Sequence, residues 1–407
     1  MRIHAFNALR PRPDMVDKIA APPYDTLDTA EAAALAKDNP MSFLHINHSE
    51  IDLPEGTALY ADEVYAKAAE NLRNFKAQGW LTAEDRPLLY LYAQTMGDHT
   101  QTGLVCCAHI DDYIQDVIKK HEFTRKDKED DRTRHTATIN ANIGPVFIAY
   151  RDVPEIREAL APAAQGAPLY DFVDELNVRH RVWPVQGTTA IEQLFADKVP
   201  VSYIADGHHR SASAVRVGAE RRAANPSHHG NEEYNWFLSV IFPASELKIL
   251  PYNRAVKDLN GLSAEDFLQE IRAIFTVTDD ADPSPASPRN ISMYFGGRWY
   301  GLSWPEVPSS NPVDKLDVST LQNGVLHPLL GIDDPRTSDR IQFIGGIRGP
   351  QELVKLVDQQ GFAVAFSMYP TTVDQLMAIA DAGQTMPPKS TWFEPKLRTG
   401  LLSHELG

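Results

Sequence analysis

The sequence predicts an α/β fold, of the α+β kind with a mixed sheet, on three observations. Short apolar runs rich in strand-forming residues recur at 88–93, 102–110, 143–150, 199–205 and 237–242. Segments with helical spacing of apolar residues alternate with them, the longest at 58–78. One of the strand-like runs leads straight into a helical pattern through Ala205-Asp206-Gly207-His208-His209-Arg210.

Taken in order, the first 25 residues are broken by prolines up to Pro22-Pro23-Tyr24-Asp25, which reads as an ordered loop or a disordered arm. Asp28 to Lys37 carries an Asp/Thr start and an alanine-rich body, a short helix. In 58–78, Leu59, Val64, Ala68, Leu72 and Phe75 fall on one face and Gly79 supplies the stop. Gly97-Asp98 between two apolar runs reads as a hairpin turn. The stretch 111–142 is dense in charge. Residues 190–195 are helical, and 199–205 form the strand before the turn. Further strands are expected at 237–242 and 247–250, all in one mixed sheet. The proline-rich stretch 279–288 cannot pack as an element and is the best hinge. Beyond it, Gly296-Gly297 and Gly345-Gly346 read as hairpin turns, and 351–360 as a helix.

A chain of 407 residues is too long for one ordinary core. The expected division is an N-terminal α/β region at 1–150, a core at 151–278 that carries the turn, and a C-terminal α/β region at 289–407. The composition, 43% hydrophobic and 23% charged, is globular. Adjacent Cys106 and Cys107 cannot readily bridge each other, so they read as buried strand residues of a reducing compartment. With no apolar leader at Met1 and no run near the roughly 20 apolar residues of a membrane span, the expected location is the cytoplasm, with no membrane partner. The formal charge of −16 opposes a nucleic-acid partner, whose phosphates demand a positive surface.

The chemistry concentrates at the turn. Gly207 can adopt positive φ, the helix start offers backbone N–H groups, and Arg210 supplies a bidentate fork for an anion. His208 and His209 can donate a hydrogen bond or shuttle a proton, and Asp206 can orient a histidine or hold a metal. The plainer account is an Asp cap with solvated histidines. A second cluster runs from His121 and Glu122 through Lys126 and Arg132 to His135. It reads either as a solvated charged helix or as a site in which Glu122, beside His121, acts as general base. Tyr24 and Asp25 either line a cleft or form a surface turn. Lys389, Ser390 and Thr391 offer a cation and two hydroxyls, or simply belong to a docked tail; the phosphate-loop pattern is missing upstream of them. A nucleophile elbow, a zinc-protease helix, cysteine metal pairs and a dinucleotide fingerprint are all absent from the sequence.

Five ordered blocks, Ala21-Pro-Pro-Tyr-Asp25, His121-Glu-x-Thr124 with 128–132, Ile204 to Arg210, Leu316-Asp-Val-Ser319 and Met386-Pro-Pro-Lys-Ser-Thr391, together resemble a bacterial and archaeal family of unknown function, numbered one thousand and fifteen. More distantly, strand, Asp-Gly-His-His-Arg and alanine-bearing helix resemble the phosphate-binding signature of the ParB/sulfiredoxin superfamily. That resemblance implies a ParB/sulfiredoxin-like core with added N- and C-terminal subdomains. It also implies a nucleotide-dependent kinase of a small-molecule hydroxyl, serine or a related amino acid, with ATP or ADP as phosphoryl donor and Mg²⁺ held by Asp206. Gly207, His208, His209, Arg210, Lys126, Arg132, Lys389, Ser390 and Thr391 would then meet the phosphates. Glu122, His121, His208, His209 and Asp206 would carry the catalysis, and Tyr24 and Asp25 the acceptor. The alternatives are a nucleotide-switched protein of the chromosome-partition type, or a phosphatase or other hydrolase at the same histidines. Homo-oligomerisation is left open.

Overall fold

The computed structural model describes all 407 residues, and the chain separates into two compact units: Met1–Leu247 with Pro395–Gly407, and Lys248–Glu394. No helix is long and apolar enough to cross a membrane.

The first unit is built on a nine-stranded mixed sheet. Its order is Ile118–Lys119, Ser202–Asp206, Val146–Tyr150, Trp236–Pro243, His99–His109, Leu89–Met96, Arg179–Val185 and Tyr170–Val173, with Ile3–His4 also paired to His99–His109. Two neighbouring pairs are parallel, 118–119 with 202–206 and 146–150 with 236–243, and the others are antiparallel. The central strands are near-continuous apolar runs because both faces are covered: Leu104, Cys106, Ile148, Ile204 and Phe237 are buried on one face, and Val105, Cys107, Phe147, Tyr203 and Leu238 on the other. Gly97 turns the hairpin between Leu89–Met96 and His99–His109 at φ +58°, and both cysteines are buried on the second of these strands. Pro184 is tolerated in its strand because it lies beyond Val182, where pairing to Tyr170–Val173 ends.

Several elements differ from their sequence reading. Four sheets form rather than one: a four-stranded sheet of Leu81–Ala83, Ala8–Pro11, Ser403–Glu405 and Ala141–Asn142 stands in the first unit, and the second unit has a sheet and a ribbon of its own. The opening segment is ordered, with strands Ile3–His4 and Ala8–Pro11. The long helix begins at Asp62, with Asp62 and Glu63 in its first turn, which leaves Leu59 exposed before it; Val64, Ala68, Leu72 and Phe75 are buried as expected. The short helix is Thr29–Ala36, opened by an Asp28/Glu31 capping box. The charged stretch resolves into helix Ile110–Ile114, strand Ile118–Lys119 and helix Lys126–Ile139, the last ended by left-handed Asn140 at φ +58°.

The second unit carries a six-stranded antiparallel sheet in the order Thr276–Asp279, Arg298–Ser303, Asn290–Phe295, Val364–Met368, Tyr252–Val256 and Ile341–Gly345. Residues 280–289 link two of its strands, and Gly296-Gly297 turns the hairpin between 290–295 and 298–303. Gly345-Gly346 is not a hairpin turn: the strand ends there and runs through a short 3₁₀ turn into helix Pro350–Gln360. The expected strand at 247–250 is Lys248–Leu250, paired with Trp392–Glu394 in a separate two-stranded ribbon.

Candidate functional site

A bulge places the turn. Along the pairing of Ser202–Asp206 with Val146–Tyr150, Ile204 faces Ile148 and Asp206 faces Phe147, so Ala205 is the extra residue and the strand bends at its end. Gly207 follows at φ +89°, a left-handed conformation that side chains resist, and helix His208–Ala224 starts without a side-chain cap. The first-turn amides of a 17-residue helix therefore point outward beside Asp206.

Asp206 is surrounded by donors and cations. Oδ1 accepts the Gly207 N–H at 2.9 Å, Oδ2 accepts from Lys396 Nζ at 3.1 Å, and Arg210 Nη2 stands 3.7 Å from the same Oδ2. Burial alone would raise the Asp206 carboxyl, but the Lys396 and Arg210 cations overcome it and hold the group ionised, well below the usual carboxylate range. Arg210 is wedged in, its side chain 9% exposed. Nη1 donates to the Pro145 carbonyl, and Nη2 lies 3.5 Å from Asp25 Oδ2. Two glycines make its space: a Cβ on Gly207 would meet its Cζ at 3.1 Å, and one on Gly144 its Cδ at 3.3 Å.

Burial disfavours the charged form of all three histidines. Burial, reinforced by neighbouring His121, pushes His208 well below the ordinary imidazole value, and burial brings His121 down to about 4. Their rings pack edge to face at 4.5 Å between centroids. Glu122, 57% exposed, brings Oε2 to 3.9 Å from His208 Nδ1. Burial also lowers His209, whose Nε2 accepts the Arg125 N–H at 3.0 Å and ties the turn to the start of helix Lys126–Ile139.

The expected site residues thus fall into three groups. Asp25, His121, Glu122 and the five turn residues converge. Arg132 comes near by another route: its guanidinium lies 4.2 Å over the Tyr24 ring and pairs with Asp131, and Tyr24, Arg132 and Arg210 line one small pocket with Asn47, His135 and Thr399. Lys126 is directed away, 91% exposed and 3.1 Å from Asp130 on its own helix. Lys389, Ser390 and Thr391 belong to the second unit, where Lys389 Nζ sits 5.6 Å over the Tyr252 ring and the Ser390 hydroxyl donates to the Pro387 carbonyl.

Sequence reasoning missed Lys396 as a member of the site. The segment that carries it braces the opening loop: Arg398 Nη2 donates to the Ala20 carbonyl at 3.0 Å, and Ala21 bridges Thr399. No local pattern could have announced a lysine that acts 190 positions from its partner.

Fold and turn define a mixed α/β protein with a glycine-opened helix start at the end of a sheet strand. The chain belongs to the family described as "protein of unknown function (DUF1015)", which matches residues 3–319. Among solved structures it is similar to a free serine kinase variant in complex with AMP (12% identity, TM-score 0.37, covering 71% of this chain and 87% of that one). It is similar also to a variant of that kinase in complex with ADP (14%, 0.36, 71% and 87%) and to SbnI with C-terminal truncation from Staphylococcus aureus (12%, 0.38, 73% and 86%). No curated protein matches the chain.

Proposed function

We propose that the Asp206–Arg210 turn binds the phosphates of a nucleotide, ATP or ADP, and that the protein is a cytoplasmic phosphotransferase acting on a small-molecule hydroxyl, serine or a related amino acid. The observation that carries this reading is the uncapped start of helix His208–Ala224 behind left-handed Gly207. A helix start of this kind offers amide donors and a positive dipole end to an anion without desolvating a side chain. Phosphoryl transfer asks mainly for positioning and neutralisation of charge.

Asp206, Asp25, Arg210 and Lys396 carry two negative and two positive charges, so the turn is close to neutral before a ligand arrives. Entering phosphate competes with Asp25 for Arg210 Nη2, which stands 3.5 Å and 3.7 Å from the two carboxylates while Nη1 stays on the Pro145 carbonyl. Tyr24 and Asp25 are assigned to the acceptor because Asp25 lies 3.5 Å from Arg210 and Tyr24 lines the same small pocket as Arg210. Glu122, with Oε2 3.9 Å from His208 Nδ1, is the carboxylate we assign either to the acceptor's proton or to the cation that accompanies phosphate.

The test is a thermal-shift series with pyrophosphate, ADP, ATP and CTP, each with Mg²⁺, on the wild type and on Arg210→Lys, which keeps the charge but loses the fork. Stabilisation by a phosphate compound that is lost in the variant supports the reading. No shift with any of them rejects it.

A further inference from the structure

Mg²⁺ does not fit the residue expected to hold it. Each Asp206 oxygen already accepts a hydrogen bond, from the Gly207 amide and from Lys396, and Arg210 stands 3.7 Å away, so a divalent ion there would face two cations. Hard Mg²⁺ seeks oxygen ligands in a regular octahedron, and it accepts imidazole poorly.

We infer that His121, Glu122 and His208 form a site for a first-row transition-metal dication of the Zn²⁺ or Mn²⁺ kind. One ligating atom from each lies within 4.8 Å of the other two. Ligands sharing an ion at about 2.1 Å stand roughly 3–4 Å apart, so a movement of about 1 Å, easiest for the exposed Glu122, closes the set. A second observation points the same way: His121 is 1% exposed, and neither ring nitrogen makes a hydrogen bond of ordinary geometry, the Ile204 carbonyl being its backbone neighbour. A buried imidazole without well-placed partners is costly, and a metal bond to one nitrogen removes much of that cost. His208 is little better served, its Nε2 facing the His121 N–H at 3.5 Å. Two imidazoles and one carboxylate are the donor set of an open transition-metal site, with positions left for a ligand on the exposed side of Glu122. This inference rests on the phosphate reading only for its purpose, since such an ion beside the turn would supply the positive charge that the turn lacks. It makes Glu122 a metal ligand rather than a base.

The experiment titrates Zn²⁺, and Co²⁺ as a spectroscopic probe, into chelator-treated full-length protein without any nucleotide, with calorimetry and visible absorption as readouts. One ion per chain is expected, with Co²⁺ bands that Mg²⁺ at equal concentration neither produces nor displaces. Glu122→Gln, an exposed change that leaves the core intact, should weaken binding about tenfold or more, and His121→Gln should abolish it. No stoichiometric binding overturns the inference. So does binding equal to wild type in both variants, which would move the ion to a surface cluster such as His228 and Glu232, 2.9 Å apart. Stabilisation by pyrophosphate together with failure of the metal titration would leave the phosphate reading standing and remove this one; the reverse pattern would do the opposite.

Discussion

Lys396 Nζ stands 3.1 Å from Asp206 Oδ2, joining the last strand-end residue before the turn to a segment 190 positions away. The pair closes the first unit around the turn, because the same segment bonds the Ala20–Ala21 backbone through Arg398 and Thr399. Lys396→Met removes one of two cations from a partly buried carboxylate. The expected loss is about 1–3 kcal/mol of stability in urea denaturation, together with weaker pyrophosphate binding as Asp206 draws Arg210 toward itself. A variant as stable as wild type contradicts this role for the pair.

Gly207 and Gly56 share nearly the same backbone angle, φ +89° and φ +88°, but not the same surroundings. A Cβ at Gly56 meets nothing within 4 Å, whereas at Gly207 it meets the Arg210 guanidinium. Gly56→Ala therefore measures backbone strain alone, about 1–2 kcal/mol, and Gly207→Ala should cost roughly 1 kcal/mol more and displace Arg210. Equal destabilisation in the two variants, read by chemical denaturation, would mean that Arg210 is not held against Gly207.

Acid should destabilise the first unit through histidines that are buried neutral. His109 Nδ1 accepts the Asp111 N–H at 3.1 Å, a bond that a proton on that nitrogen would break. Burial lowers its pKa from 6.5 to about 4, and His135, bonded to the Ile46 carbonyl, is lowered in the same way. Between those values the unfolded chain binds more protons than the folded one, so stability is full above pH 6.5 and falls as pH drops toward 4. His109→Asn keeps an acceptor and does not titrate. It should flatten the slope by about one proton, roughly 1.4 kcal/mol per pH unit. An unchanged slope refutes the assignment.

Much of the site was legible because its signals are local. Gly207 after a strand, ahead of an alanine-bearing helix, announces a left-handed helix start, and Gly97-Asp98 between two apolar runs announces a hairpin. What stayed hidden depends on distant partners. The opposition of charge at Asp206 needs Lys396, 190 positions away. The sheet count failed for the same reason: short strands such as Lys248–Leu250 and Trp392–Glu394 gain their identity from a partner far along the chain, and periodicity within three residues cannot name it.

The central claim is that phosphate sits on the Gly207 end of helix His208–Ala224, and one amide reports on it directly. Asp206-Gly207 is the sole Asp-Gly pair in the sequence, so labelling aspartate carbonyls with ¹³C and glycine amides with ¹⁵N leaves a single correlated NMR signal. Titration with ADP should move that signal saturably, because the Gly207 N–H now bonded to Asp206 Oδ1 lies at the proposed phosphate position. A signal that stays in place while ADP binds elsewhere, or while no binding occurs, would contradict the account.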